Sequence, residues 1–149
     1  MKGERFDWTG LAIWIIAAAI IGIVLGGAGS VHTHETHGRL INAIHQVETS
    51  GRLGPIKGDN GRALGPLQIH RACWIDSGIP GTYEDCASLE YSKRVFRAYV
   101  ARYATVARIG RAVTDEDRAR IWNGGPNGYR KAATVKYWNK VQGELNNGR

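Results

Sequence analysis

The chain is poor in cysteine. Its 149 residues hold only Cys73 and Cys86. No Cys-Xaa-Xaa-Cys pair occurs, which excludes a dithiol redox centre of that type. Zinc-ligand spacings, RNA-binding signatures and a helix-turn-helix pattern are missing as well. Their absence argues against nucleic acid as a partner, although the chain carries 20 Lys and Arg against 13 Asp and Glu. No internal repeat is visible. In an oxidising compartment the two cysteines could close a short disulfide loop; otherwise they are two buried thiols.

Charge is also missing over one long stretch. From Trp8 to Val31, 24 positions (31 − 8 + 1), there is no charged residue. A helix needs about 20 residues to cross a bilayer. Residues 1–31 therefore read as an N-terminal membrane span, with residues 8–31 in contact with lipid and Trp8 at the interface. Ala28-Gly29-Ser30 resembles a signal-peptide cleavage site, but Leu11–Ala28 is longer than the usual apolar region of about 7–15 residues. Lys2 and Arg5 precede the span, so the N-terminus is expected in the cytoplasm and the rest outside. A single-pass protein facing the cell wall, or a protein of a virion membrane, fits this placement.

Residues 32–37 read as a polar linker. His32, His34 and His37 alternate there, but no other ligand lies nearby in sequence, so a solvated tether is favoured and no metal is expected. The remainder, residues 38–149, holds 18 Lys and Arg against 10 Asp and Glu, a net +8. Such a surface concentrates anionic polymers.

Within residues 38–149 the pattern is mostly helical. Leu40, Ile41, Ile44 and Val47 form one stripe, stopped by Gly51. Residues 54–69 are Gly-rich, and Asp59-Asn60-Gly61 is a hairpin-turn signal. Thr82 and Asp85 open a helix predicted over 83–108, burying Leu89, Phe96, Tyr99, Val100 and Tyr103. Thr114 with Asp115, Glu116 and Asp117 opens another, running to about Trp122. A last helix is predicted over 132–145, with Val135, Trp138, Val141 and Leu145 inward. The fold class is α+β, helix-dominated, with one small β-hairpin near its start and one transmembrane helix before it.

Two carboxyl groups stand out against this frame. Glu48 lies at a helix C-terminus, where the helix dipole is negative and the apolar stripe is adjacent. Both effects raise the pKa of an acid, which a proton donor near neutral pH requires. Asp59 lies in a polar turn. A protonated acid and a carboxylate in contrasting surroundings are what glycosidic bond cleavage uses. Gln68, Asn123, Gly124, Gly125 and Tyr137 are candidate sugar contacts, while Trp74 and Trp138 lean toward the core.

The segments Gln46–Gly51, Gly65–Ile69, Trp74–Asp76, Ala119–Gly128 and Thr134–Trp138 resemble invertebrate-type (destabilase-type) lysozymes. The likeness covers about residues 40–142 with the motifs in order. It implies a lysozyme-like fold and hydrolysis of the β-1,4 bond between N-acetylmuramic acid and N-acetylglucosamine in peptidoglycan, with no cofactor. The family's catalytic Glu falls on Glu48 and its catalytic Asp on Asp59, as nucleophile or electrostatic stabiliser. The chain departs from the animal members in its few cysteines, in its membrane span, and in Trp122, which replaces a His before Asn123-Gly124-Gly125-Pro126. Those departures point to a bacterial or bacteriophage enzyme. Two alternatives remain: a lytic transglycosylase using Glu48 alone, and a non-catalytic membrane or virion structural protein.

Overall fold

The computed structural model describes the backbone of residues 27–148 and the side chains of residues 37–148. The chain divides between Thr36 and His37 into two compact units, and the second carries the described side chains. Residues 8–26 of the expected membrane span lie outside the described residues. Among the described residues no helix is long and apolar enough to cross a membrane.

Helix α1 spans Gly27–Thr49. The segment read as a linker, residues 32–37, is helical within it, since no Gly or Pro falls between Ser30 and His37 to interrupt the turn. The predicted stripe faces inward: Leu40, Ile41 and Ile44 are fully buried, and Val47 packs on the same core. The helix stops as Ser50 and Gly51 turn left-handed at φ 53° and 74°. A Cβ on Gly51 would also meet Gln46 Nε2 at 2.8 Å, so glycine suits the stop for two reasons.

Three two-residue strands follow where one hairpin was predicted. They are β1 (Lys57–Gly58), β2 (Ala63–Leu64) and β3 (Ile69–His70), antiparallel in the order β1-β2-β3. Gly58 lies opposite Ala63, and Ala63 opposite His70. Strands this short do not stand alone. Leu64, Leu67 and Ile69 anchor them in the core beside α1. Gly65 brings the sheet against residues 83–87: a Cβ there would lie 1.8 Å from the Cys86 carbonyl oxygen, and φ is 81°.

Helix α2 (Arg71–Ser77) ends on Gly78 in the left-handed region. The single helix predicted over 83–108 is three pieces: a 3-10 turn at Tyr83–Ala87, α3 (Leu89–Tyr103) and α4 (Val106–Ile109). The breaks have a local cause. Ser88 and Thr105 each cap a new start, accepting from the backbone N–H of Tyr91 and Arg108. Phe96, Tyr99 and Val100 are buried as predicted, while Leu89 and Tyr103 are only partly covered. The predicted capping box at Thr82/Asp85 forms, and the helix start read at Thr114 is a capping box as well, closed by Asp117.

Helix α5 spans Asp115–Gly124 and α6 spans Val135–Asn147. Val141 is buried, but Val135, predicted inward, is 40% exposed at the first turn of α6. The core joins α1, the sheet, α3, α5 and α6, and Phe96 packs on Trp122 with ring centroids 5.0 Å apart. Each fully buried side chain of Leu or Phe size contributes roughly 1.5–3 kcal/mol. Cys86 is buried, Cys73 is partly covered, and both are free thiols rather than a disulfide. Burial pushes the Cys73 thiol up to about 12 and Cys86 to about 11, so neither is reactive near neutral pH.

Candidate active site

The end of α1 places Glu48, and two contacts fix that end. The Thr49 hydroxyl donates to the Pro66 carbonyl at 3.0 Å, tying the helix to the Gly65–Ile69 segment. One turn earlier, buried His45 has Nε2 2.8 Å from the Arg52 carbonyl, which holds the chain as it leaves the helix. Glu48 therefore sits on a rigid support.

Glu48 and Asp59 line the same cleft, of about 490 Å³. Gln68, His70, Trp122, Asn123 and Gly125 share its walls with Cys73 and Tyr99. The Glu48 carboxyl is the more enclosed of the two acids. Burial pushes its pKa above the usual carboxylate value, against a hydrogen bond from Tyr137 and the Lys140 charge, which pull it down. A carboxyl held this way keeps its proton to higher pH, as a general acid must.

Asp59 is different in every respect. Its side chain is 42% exposed, and both oxygens have cationic or imidazole neighbours: Arg62 at 2.7 Å on Oδ1 and His70 Nε2 at 3.3 Å on Oδ2. The turn that carries it is a 3-10 segment, Asp59–Gly61, with Asp59 and Asn60 left-handed at φ 48° and 55°. Asp and Asn tolerate that conformation better than other side chains.

The predicted sugar contacts divide into two groups. Asn123 and Gly125 line the cleft where α5 ends. Gly124 does not. Its carbonyl accepts from Lys131 Nζ at 2.6 Å, and a Cβ on it would press on Thr134 Cγ2 at 2.5 Å, so it packs the loop instead. Arg120 ties that loop from below, donating to Thr134 Oγ1 and to the Lys131 carbonyl.

Tyr137 is a partner of the acid and is not on the cleft wall. Its hydroxyl donates to Glu48 Oε1 at 2.7 Å, and burial beside that carboxyl raises the phenol well above its ordinary pKa. Gln68 lines the cleft, but its Nε2 is spent on the Ile56 and Gly65 carbonyls at 3.2 and 2.9 Å. Its Oε1 sits where a Cβ on Gly58 would be, 1.7 Å away. Gln68 thus braces the strand that leads directly into Asp59.

His70 is the site residue that the sequence reading missed. The one available signal is its place just after Leu67-Gln68-Ile69, an apolar–polar–apolar alternation whose strand pairs back on the Asp59 hairpin. Trp74 and Trp138 pack on the core as read. Trp74 Nε1 donates to the Tyr91 hydroxyl at 2.8 Å, which satisfies its polar atom there. Trp122 packs on Phe96 and also reaches the cleft.

A helix-rich domain whose cleft pairs an enclosed carboxylic acid with an exposed carboxylate has the build of a glycoside hydrolase of the lysozyme type. Known proteins agree with this assignment. The family model described as Destabilase matches residues 39–143, and the chain belongs to the destabilase family. It is 39% identical over 120 residues to Lysozyme 1 of Crassostrea virginica, covering 78% of this chain but only 64% of that protein's length. It is 37% identical over 107 residues to a lysozyme of Meretrix lusoria, covering 70% of this chain and 86% of that one. Among solved structures, inhibitor-bound lysozyme from Meretrix lusoria superposes with a TM-score of 0.62 at 36% identity, over 70% of this chain and 86% of that chain. The lysozyme of Tapes japonica superposes with a TM-score of 0.60 at 31% identity, with the same coverage.

Proposed function

We propose that this chain hydrolyses the β-1,4 bond between N-acetylmuramic acid and N-acetylglucosamine in peptidoglycan. The observation that carries the reading is Glu48: an enclosed carboxyl of raised pKa that shares one cleft with the carboxylate of Asp59. In the first step Glu48 gives its proton to the glycosidic oxygen as the bond to the anomeric carbon breaks. Positive charge builds on the sugar ring, and Asp59 either attacks that carbon or stabilises the charge. Glu48, now a carboxylate, takes a proton from the water that completes hydrolysis. Each cut consumes one water and restores both groups.

Lytic transglycosylation is the second reading. It is favoured by one observation: Asp59 is exposed, with both oxygens already engaged by Arg62 and His70. That chemistry needs only Glu48, with the sugar's own hydroxyl as nucleophile. The place of action belongs to the proposal too. Residues 8–31 would anchor the protein in a membrane, with residues 38–149 on the wall side. The low cysteine count and the span support a bacterial or bacteriophage source.

Digestion of purified peptidoglycan by the full-length chain tests the reading through fragment masses. Fragments that have gained one water per cut are expected. Fragments ending in a 1,6-anhydro sugar would favour the transglycosylase. No cleavage at any pH would leave a non-catalytic wall or virion component.

A further inference from the structure

Beyond the cleft, the surface at the ends of α3, α4 and α5 concentrates arginine on tyrosine. Arg102 and Arg108 both lie over the Tyr103 ring, with guanidinium carbons 5.5 and 5.2 Å from its centre. The Tyr129 hydroxyl donates to the Arg108 carbonyl at 2.9 Å, and Arg130 lies 5.0 Å over the Tyr129 ring. Arg102, Arg108 and Arg130 are all exposed. Stacking on a ring fixes the plane of a guanidinium. Nη1 of Arg102 donates to the Asp76 carbonyl at 3.1 Å and Nη1 of Arg108 to Asn127 Oδ1 at 3.5 Å, and the remaining N–H groups face outward for an oxyanion. Asp76 offsets part of this charge, since it contacts Arg102 and accepts from the Tyr103 hydroxyl.

This strip is continuous with the cleft. Tyr103 packs on Tyr99 at 5.0 Å, and Tyr99 lines the cleft beside Trp122. Asn123 and Gly125 belong to the cleft wall, and two residues on, Asn127 Oδ1 lies 3.5 Å from Arg108 Nη1. The arginines therefore adjoin the end of the cleft that Tyr99, Asn123 and Gly125 line.

We propose that the Arg102–Arg108–Arg130 strip binds carboxylates on the substituents of the same glycan strand that the cleft cuts. The inference rests on the glycan-cleaving reading and extends it: the cleft takes the sugar backbone, and the strip takes the acidic side branches. Guanidinium and carboxylate match edge to edge, and each such pair adds affinity only where the branch is acidic. The strip therefore selects acid-substituted over neutral glycans, and its contribution weakens with salt.

The test separates binding from cleavage. Full-length protein carrying Glu48→Gln is titrated with two soluble glycan fragments of equal length, one bearing peptide branches with free carboxylates and one neutral. Arg108→Gln with Arg130→Gln is then added, and Arg94→Gln serves as a charge control elsewhere on α3, where Arg94 lies over Tyr91. The double change is expected to weaken the acid-bearing fragment about tenfold, at least five times more than the neutral one, and to flatten its salt dependence. Arg94→Gln is expected to leave the preference unchanged. Equal losses on both fragments, an equal effect of Arg94→Gln, or tighter binding of a single-stranded oligonucleotide than of the acidic fragment would overturn the proposal. Failure of the wild type to cleave either fragment, with the binding preference intact, would instead overturn the enzymatic reading alone.

Discussion

The Tyr137 hydroxyl donates to Glu48 Oε1 at 2.7 Å, joining residues 89 positions apart. The bond favours the ionised acid and works against burial, which is the larger effect. Tyr137→Phe removes the weaker, opposing influence. The Glu48 pKa should rise further, so the alkaline limb of the pH–rate profile should move to higher pH. Leaving the carboxyl without its donor should also cost about 1–3 kcal/mol of stability once it is ionised. A rate profile and a thermal melt check both; a limb that moved to lower pH would contradict the assignment.

Glu48→Gln should reduce cleavage by about 10²–10⁴, the usual value of a positioned proton donor, because the amide keeps the shape and loses the acid. Its effect on stability has the opposite sign. The folded pKa of Glu48 lies above the ordinary 4.5, so the wild type is relatively stable while the group is protonated in both states. That stability is lost as pH rises from 4.5 through the folded value, because the folded state must then hold a buried charge. The variant should therefore match the wild type in mild acid and melt at a higher temperature near neutral pH. Calorimetry across that range decides it.

Gly58→Ala should slow cleavage although it lies outside the chemistry. Its backbone is ordinary, with φ −129°, so the penalty is steric. The new methyl would meet Gln68 Oε1 at 1.7 Å and displace a flexible side chain rather than backbone. Gln68 would release the Ile56 and Gly65 carbonyls, and the strand feeding Asp59 would loosen. Adding Gln68→Ala to Gly58→Ala should restore room, so the two losses should combine to less than their sum. Strict additivity in a kinetic double-mutant cycle would show that Gln68 does not brace this turn.

The two acids and their supports were legible to different degrees. Glu48 could be read because a helix stripe, a Gly stop and an adjacent carboxyl are local signals. The turn at Asp59 was local too. Gln68 lines the cleft and also braces backbone, while Tyr137 and Gly124 stand off its wall; the hydrogen bonds that place them reach across the fold or into backbone that sequence does not reveal. His70 went unread because a two-residue strand leaves almost no periodicity. The break of the long helix at Ser88 and Thr105 was written as two ordinary cap residues, overlooked because the apolar spacing continued through them.

Asp59 decides between the two chemistries. Asp59→Asn is a clean change for the fold. Asn accepts the left-handed φ of 48° as readily as Asp, and the Arg62 ion pair and His70 contact that it weakens are exposed and of little energetic weight. The melting temperature should barely move. If hydrolysis uses two carboxyl groups, the rate should fall by several orders of magnitude, since an amide neither attacks the anomeric carbon nor offsets its positive charge. If Glu48 transfers both protons and the sugar supplies the nucleophile, the rate should stay near that of the wild type, with 1,6-anhydro ends in the fragments. We expect the large loss and water-added products. An unimpaired variant releasing anhydro sugars would transfer the protein to the transglycosylase class and leave Asp59 as an anchor for Arg62 and His70.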